Sequence, residues 1–373
     1  MATQGQKKFN VGIIGYGMSA TIFHIPFISL TNNLVLHSIV QRSPKPGSSA
    51  PEDHPTVNHH TSVGPLLADP AVDVVVITTP PDTHFALAGA AIRSGKHVLV
   101  EKPFVPTAAE ADSLVALARE RGVQLCVYQN RRWDADFLEV RRLVAGGALG
   151  RVVEFETHFD RFRPGRPTNW KGTLPMKWGG GVVYDLGTHL IDQAFVLLGM
   201  PSAVYARFVS QRDGRLVSGD GGEDEEPDSL TAVLSYPETG TLAHVRIGVM
   251  SVETKQVRFW VRGTKGSYHK YGLDPQEGQL KAGIKPSEAD FGHEDASRAG
   301  RLCVAKDDGS VVDEPLPAAE PETYLKFYEL FARSLETGKE ADVPVPATQA
   351  ADVLRIIEAV RTSVKTGMEV AVK

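Results

Sequence analysis

Two stretches of the sequence bring an acid, a base and a cation to spacings at which a proton could be moved. In Tyr184-Asp185-Leu186-Gly187-Thr188-His189-Leu190-Ile191-Asp192, entered through Gly179-Gly180-Gly181, a helix would set Asp185 and His189 one turn apart on one face, with Asp192 three residues beyond. An Asp beside a His can hold the imidazole and favour proton acceptance, and Asp185 would also reach a substrate hydroxyl. The same spacing equally describes a capping Asp and a core His with satisfied hydrogen bonds. It does not describe a metal site, because two ligands without a third do not make one. The second stretch is Glu101-Lys102-Pro103, which follows the apolar run HVLV. A lysine at the C-terminal end of a parallel strand faces the crevice where open α/β sheets place their ligands, and there it can polarise a hydroxyl or carbonyl oxygen. Its alternative is a surface lysine close to a helix start.

A third stretch binds rather than reacts. The run Phe9–Ile14 leads into Gly15-Tyr16-Gly17-Met18-Ser19-Ala20, a G-x-G-x-x-A turn at the mouth of a helix that extends towards Leu30. Gly15 permits the tight turn, Gly17 lets the backbone approach a pyrophosphate, and Ala20 lets helix and strand pack closely, while Met18 and Ser19 present helix N-terminal N–H groups. At the end of the second strand, where NAD-binding sites carry an acid for the ribose hydroxyls, this chain has Gln41-Arg42-Ser43. Arg42 can pair with a 2′-phosphate and Ser43 can donate to it, so NADP(H) is favoured over NAD(H). Arg42 could also be a solvated loop arginine. Thr79, Pro80 and His84, at the end of the run VDVVVIT and the start of the next helix, fall on the same carboxyl edge of the sheet and complete the expected cofactor wall with Glu101 and Lys102.

The elements that must position these residues follow from the periodicity. Up to about residue 130 the runs FNVGII, LVLHSIV, VDVVVIT, HVLVEK and VQLCVY alternate with helical patterns such as residues 83–93 and 108–121, the latter begun by Thr107 with Glu110 three residues on. That alternation predicts a doubly wound parallel sheet, a Rossmann domain over residues 1–130. From Gly150 the strands lengthen and alternate apolar with polar residues, as in RVVEFETHFDRF and GTLAHVRIGVMS, before helices return after Glu322. Residues 131–373 are therefore expected to form an α+β domain, with a large, mostly antiparallel open sheet, that binds substrate and mediates oligomerisation as a homodimer or homotetramer. The interval 218–228, SGDGGEDEEPD, reads as a solvated hairpin loop.

Composition narrows the function classes. At 373 residues two domains are expected, and a net charge of -5 gives no footprint for nucleic acid. No run approaches the ~20 apolar residues of a membrane helix, so a cytoplasmic protein with no membrane partner is expected. Cys126 and Cys303 are too few for a disulfide framework, and Cys126, in VQLCVY, suits a buried thiol.

The glycine loop, the EKP motif and the GGG…D-x-G-x-H pattern occur in the order seen in the Gfo/Idh/MocA family, the glucose-fructose oxidoreductase and inositol dehydrogenase group. The chain resembles that family over essentially its whole length, and within it the NADP-dependent scyllo-inositol dehydrogenases. The resemblance is carried by GYGMSATIFHIPF (15–27), EKPFVPTAAEA (101–111), YQNRRWDADFLEVRRL (128–143), YDLGTHLIDQ (184–193) and KYGLDPQEGQLKAG (270–283). It implies that Lys102 is the catalytic lysine, that Asp185 and His189 contact the reacting hydroxyl, and that His189 is the general base while Lys102 assists. It also implies direct hydride transfer between a carbinol carbon and nicotinamide C4. Asn130, Arg131, Arg132 and Trp133 are expected along the cofactor and substrate crevice, with Arg131 on the substrate side. Gln41 departs from the acidic position of NAD-using relatives. Residues 160–178, rich in Arg, Lys and Trp, are the expected substrate loop, with Trp170 and Trp178 stacking on a hydroxylated or acidic substrate. The implied activity is an NADP-dependent dehydrogenase acting on the CH-OH group of a sugar, cyclitol or related polyol. The competing readings are a biosynthetic reductase of a carbonyl or imine and a non-catalytic NADP-sensing regulator, the latter opposed by the presence of Lys102, Asp185 and His189 together.

Overall fold

A computed structural model describes residues 7–218 and 226–373. Residues 219–225, most of the acidic interval, lie outside the described residues.

The first sheet is parallel. Its strands are β1 (Phe9–Ile14), β2 (Leu34–Val40), β3 (Asn58–His60), β4 (Val74–Ile77), β5 (His97–Val100) and β6 (Leu125–Val127), arranged in space as β3-β2-β1-β4-β5-β6. Every residue of β4 is buried, as is expected for a strand covered by helices on both faces, and this is why it appears in the sequence as an unbroken apolar run. The short β3, Asn-His-His, carries no apolar run to announce it. The order reverses between β1 and β4, and the carboxyl ends of those strands open the crevice in which such sheets hold ligands. The helix Ala108–Arg121 begins with the expected capping box, Thr107 against Glu110, and ends on Gly122 in the left-handed conformation.

Two helix starts depart from the expected α geometry. After the glycine loop, Ser19–His24 forms a π turn before the α-helix Ile25–Leu30. Pro26 lies at the start of that helix and has no N–H to continue an α ladder from the turn before it. The Asp185 segment does likewise, with a π turn over Val183–Gly187 feeding the α-helix Thr188–Leu198.

The second sheet comprises β7 (Val152–Asp160), β8 (Ala203–Ser210), β9 (Arg215–Val217), β10 (Ser229–Tyr236), β11 (Thr241–Gly248), β12 (Val257–Gly263), β13 (Gly266–Tyr271), β14 (Gly300–Ala305), β15 (Val311–Leu316) and β16 (Val370–Ala371). The order is β15-β14-β13-β12-β7-β11-β10-β8-β16, with β9 paired to β8. All pairings are antiparallel except β11 with β7. One face buries Phe155, Phe208, Leu230, Val245 and Phe259 beneath helices, and the alternating pattern read from the sequence is that division of faces.

The C-terminal segment returns to the first domain. The helix Thr323–Thr337 buries Tyr324, Phe327, Tyr328 and Phe331, with Tyr128 edge-on to Phe327 at 4.9 Å, and Val127 N–H donates to the Val345 carbonyl at 3.2 Å, closing the edge of β6. The last helix, Ala347–Thr366, caps the start of the helix Ala108–Arg121 through Glu358, whose carboxylate accepts from Ala108 N–H at 2.8 Å. The parallel sheet ends with β6 at Val127, and the last fifty residues pack against elements of both sheets. Among the described residues no helix is long and apolar enough to cross a membrane.

Candidate active site

The carboxyl edge of the first sheet and the buried face of the second enclose a cavity of about 540 Å³. Gly17, Met18, Ser19, Thr79, Glu101, Lys102, Asn130, Arg131, Trp170, Asp185 and His189, all expected site residues, line it.

The glycine loop separates two demands on glycine. At Gly15, with φ +105°, a Cβ would stand 2.7 Å from Thr78 Oγ1, so the turn itself excludes a side chain. At Gly17 no atom lies within 4 Å of a Cβ, and the residue borders the cavity. The protein's own packing therefore leaves bare backbone there, which fits the close approach of a dinucleotide pyrophosphate. Ala20 is fully buried, as expected of the position where helix meets strand.

Glu101 ties this loop to the end of β5. Its Oε1 accepts from Ser19 Oγ in a short hydrogen bond and from His24 Nε2 at 3.0 Å, and its Oε2 accepts from the Lys102 backbone N–H at 3.0 Å. Burial alone would raise this carboxyl, but His24 and Lys102 outweigh it and hold Glu101 below its ordinary value. His24 is fixed in turn by the Tyr328 hydroxyl at 2.5 Å from Nδ1. Glu101 is thus committed to positioning the loop, rather than presenting a free carboxylate to a ligand.

From the next residue, Lys102 Nζ donates to Asp185 Oδ1 at 2.8 Å and to the Asp185 carbonyl at 2.8 Å. Lys171 Nζ binds the same carboxylate at 3.2 and 3.3 Å. Burial would raise Asp185, yet the two ammonium groups hold it far below the usual carboxylate range. His189 is 5% exposed. Its pKa is driven well below that of a free histidine by burial, then by the fields of Lys102 and Arg131, and Nδ1 makes no hydrogen bond among the described residues. The structure therefore brings Asp185 and His189 to one cavity but corrects their expected pairing. The Asp185 carboxylate is held by lysines, and the imidazole stands neutral and unclamped. Asp192 is likewise engaged elsewhere, taking Arg132 Nη2 and Nε at 2.6 and 2.9 Å.

Several expected cofactor or substrate contacts are structural instead. Arg132 is buried against Asp192 and donates to Gln349 Oε1 at 2.6 Å, behind the cavity wall. Trp133 packs edge-on to Phe327 at 5.3 Å. His84 is completely buried, with Nε2 2.8 Å from the Thr79 carbonyl and Nδ1 3.0 Å from that of Pro103, so it clamps the ends of β4 and β5 together. Pro80 does not line the cavity, although its neighbours Thr79 and Pro81 do. Trp178 is 51% exposed, lies beside Lys177 and is absent from the cavity wall. A residue's place on a motif gives its depth along the strand end but not the direction of its side chain. Arg42 and Ser43 are exposed beyond β2, where Gly15 N–H donates to the Val40 carbonyl, and Gln41 spends its carboxamide on Ser48 O and Ala50 N–H, both at 2.7 Å.

Sequence reasoning assigned no role to Lys171, Arg161 or Glu277, all of which line the cavity. Glu277 binds Arg131 and Lys281 in short ion pairs, and although burial opposes ionisation these partners bring it down to about 2. Glu277 sits in KYGLDPQEGQ, a stretch that carried the resemblance without a role attached. Lys171 and Arg161 belong to the 160–178 loop, where composition pointed to the region and nothing periodic singled out a residue. Among the described residues no group of three or more His, Cys, Asp or Glu is arranged to hold a metal ion.

Two family models match the chain: the NAD-binding Rossmann fold of the Gfo/Idh/MocA oxidoreductases over residues 9–129, and their C-terminal alpha/beta domain over residues 141–372. The chain is 33% identical to the scyllo-inositol 2-dehydrogenase (NADP(+)) IolW of Bacillus subtilis, over 90% of this chain and 89% of that protein. It is 30% identical to the 1,5-anhydro-D-fructose reductase of Ensifer adhaerens, over 69% and 74%. A solved oxidoreductase from Bacillus cereus superposes with a TM-score of 0.84 at 31% identity, covering 98% of this chain and 99% of that one. The two family models together span the six-stranded parallel sheet, the lysine at the end of β5 and the acid and histidine that share its cavity, and the chain belongs to the Gfo/Idh/MocA family of oxidoreductases.

Proposed function

We propose that this oxidoreductase is an NADP(H)-dependent dehydrogenase or reductase acting on a secondary alcohol or ketone of a sugar, cyclitol or related polyol. The observation that carries this reading is the meeting of Lys102, Asp185 and His189 on the cavity wall, next to the bare backbone of Gly17. NADP(H), when bound, gives or takes the hydride at nicotinamide C4. The protein's own groups handle the oxygen and its proton. Lys102, anchored by Asp185, offers an N–H to the substrate oxygen and stabilises negative charge as it develops there. His189, neutral across the physiological range, accepts the hydroxyl proton in the oxidising direction and returns it in the reducing one. Glu101 keeps Ser19 and the Lys102 backbone in register with each other. The sugar and cyclitol substrates named for IolW and the anhydrofructose reductase support the substrate class.

Preference for NADP(H) is supported by Arg42, which is exposed beyond β2 and makes no hydrogen bond or ion pair among the described residues. Fluorescence titration with NADPH and NADH, followed by an absorbance screen of inositols, aldoses and sugar acids, tests the reading. Arg42→Ala is expected to weaken NADPH at least about 10-fold more than NADH, from the ~1.5–3 kcal/mol of a hydrogen bond to a charged group. Equal losses for both nucleotides would remove Arg42 from the 2′-phosphate site. The exposed face of the ten-stranded sheet is our proposed homodimer or homotetramer contact, for which light scattering is the check.

A further inference from the structure

Eight cationic side chains line the cavity: Lys102, Arg131, Arg161, Arg163, Arg166, Lys171, Arg212 and Lys281. Six of them are spent on the protein's own acids. Lys102 and Lys171 share Asp185, Arg131 and Lys281 share Glu277, Arg166 pairs with Asp213 at 2.6 Å, and Arg212 pairs with Asp228 at 2.9 Å. Arg161 and Arg163 make no side-chain hydrogen bond or ion pair among the described residues.

Of these two, Arg161 is the one placed for recognition. It is half-buried, whereas Arg163 is exposed. Its guanidinium lies over the Phe159 ring, 4.9 Å from the centroid, with Arg131 5.1 Å from the same ring, so its stem is fixed and its polar edge is free. Its backbone is held at both ends, the N–H donating to Gly248 O at 2.9 Å and the carbonyl accepting from Ser251 N–H at 3.1 Å. The loop beyond is staked by Arg212, which donates to the carbonyls of Arg163, Pro164 and Gly165 at 2.6, 3.0 and 3.3 Å. Burial and the neighbouring Arg163 push the Arg161 pKa down to about 10, against the fields of Asp185 and Glu277. The group thus lines the same cavity as Lys102, Asp185 and His189 with its charge unpaired. A guanidinium that is taken out of water without an anion is costly, and an incoming anion removes the cost.

We infer that the substrate carries an oxyanion, a carboxylate or a phosphate, and that Arg161 receives it beside the Lys102–Asp185–His189 cluster. The inference rests on the dehydrogenase reading above and narrows it, from polyols in general to acidic sugars, acidic cyclitols or their phosphates. A planar carboxylate suits the single free fork of Arg161, whereas a phosphate would also draw in Arg163.

The test uses matched pairs on the full chain: D-glucuronate against D-glucose, and myo-inositol 1-phosphate against myo-inositol. Binding is followed by calorimetry and thermal shift in the presence of NADP+, and turnover by NADPH absorbance. Wild type is expected to bind one of the anionic members at least 10-fold more tightly than its neutral partner. Arg161→Met, which keeps the stem on Phe159 and removes the charge, should abolish that ratio, and Arg161→Lys should restore only part of it. Arg161→Met should also raise the melting temperature of the ligand-free protein, because it removes a part-buried charge that has no ion pair, whereas a structural arginine would lower it. A ratio that falls further in Arg163→Gln identifies the phosphate; one that does not identifies the carboxylate. No preference for either anionic member in wild type, or a preference that survives in Arg161→Met, overturns the inference. An Arg161-dependent anion preference in binding with no turnover of any member would sustain it while refuting the dehydrogenase reading.

Discussion

On the wall of the crevice built by β4, β5 and the glycine loop, polar groups answer to backbone or to one another. Glu101 spends its oxygens on Ser19, His24 and the Lys102 N–H, and His84 sets both ring nitrogens against carbonyls. On the facing wall, residues 161–174, the π turn at Val183–Gly187 and the first turn of the helix Thr188–Leu198 offer the side chains, and there His189 Nδ1 and the Arg161 guanidinium have no hydrogen-bond partner among the described residues. The first wall is pre-formed for a ligand whose shape does not vary. The second holds its unsatisfied groups ready for a substrate, which is the usual division between a scaffold and the loops mounted on it.

Asp185 is where the walls meet, taking Lys102 from one and Lys171 from the other, and the largest effects are expected there. Lys102→Met should lower turnover at least ~100-fold, the lower range for acid–base assistance, while NADPH affinity in fluorescence titration stays within about threefold. The protein should still fold, because Lys171 continues to neutralise Asp185. Lys171→Met should cost distinctly less turnover, since Lys171 comes from the adaptable wall and binds the carboxylate at longer range. If the two variants lose turnover equally, the distinction between fixed and adaptable walls fails at the point where it matters most.

Glu101→Gln sharpens the comparison from the fixed side. The amide keeps the shape but weakens the charge-assisted bonds from Ser19 and His24, each worth roughly 1.5–3 kcal/mol. Nucleotide affinity should fall about 10-fold, with a smaller change in the KM for substrate. The carboxyl is also a stability element. Its pKa is depressed in the folded state, so its contribution is present above the ordinary value near 4.5 and is lost as pH falls through the lower folded value. Denaturant titration should therefore show a smaller loss of stability between pH 5 and pH 3 in Glu101→Gln than in wild type. A substrate KM that rises as much as the nucleotide Kd would show that Glu101 serves both walls alike.

The same contrast explains what could be read from the sequence. Gly15, Gly17, Ala20 and the capping box of Thr107 and Glu110 were legible because backbone geometry admits few residue types at those positions. Lys102, Asp185 and His189 were legible as a constellation, yet the partner of Asp185 was not. Lys171 reaches it through a loop with no period, and the π turn moves the carboxylate away from the face an α-helix would give it. Trp133, Arg132 and His84 show the converse error. Each lies within three residues of a crevice residue in sequence, but its side chain turns back into the core, as only tertiary packing could decide.

The smallest expected effect separates two of the buried histidines, His189 and His84. His189 is held neutral by burial and by Lys102 and Arg131, so its folded pKa lies below the unfolded value near 6.5. As pH falls below about 6.5 the unfolded chain takes up a proton that the native chain refuses. Stability therefore declines with a slope of up to ~1.4 kcal/mol per pH unit from this one group. Chemical denaturation at pH 7.5 and pH 5.5 should show this decline reduced in His189→Gln, with little loss of stability at pH 7.5, because Nδ1 gives up no hydrogen bond. His84→Gln should instead lose stability at both pH values, because its ring nitrogens lie against the Thr79 and Pro103 carbonyls. A pH 7.5 loss in His189→Gln as large as that in His84→Gln would mean that the imidazole is a clamped core residue like its counterpart, and that the base must be sought elsewhere on the cavity wall.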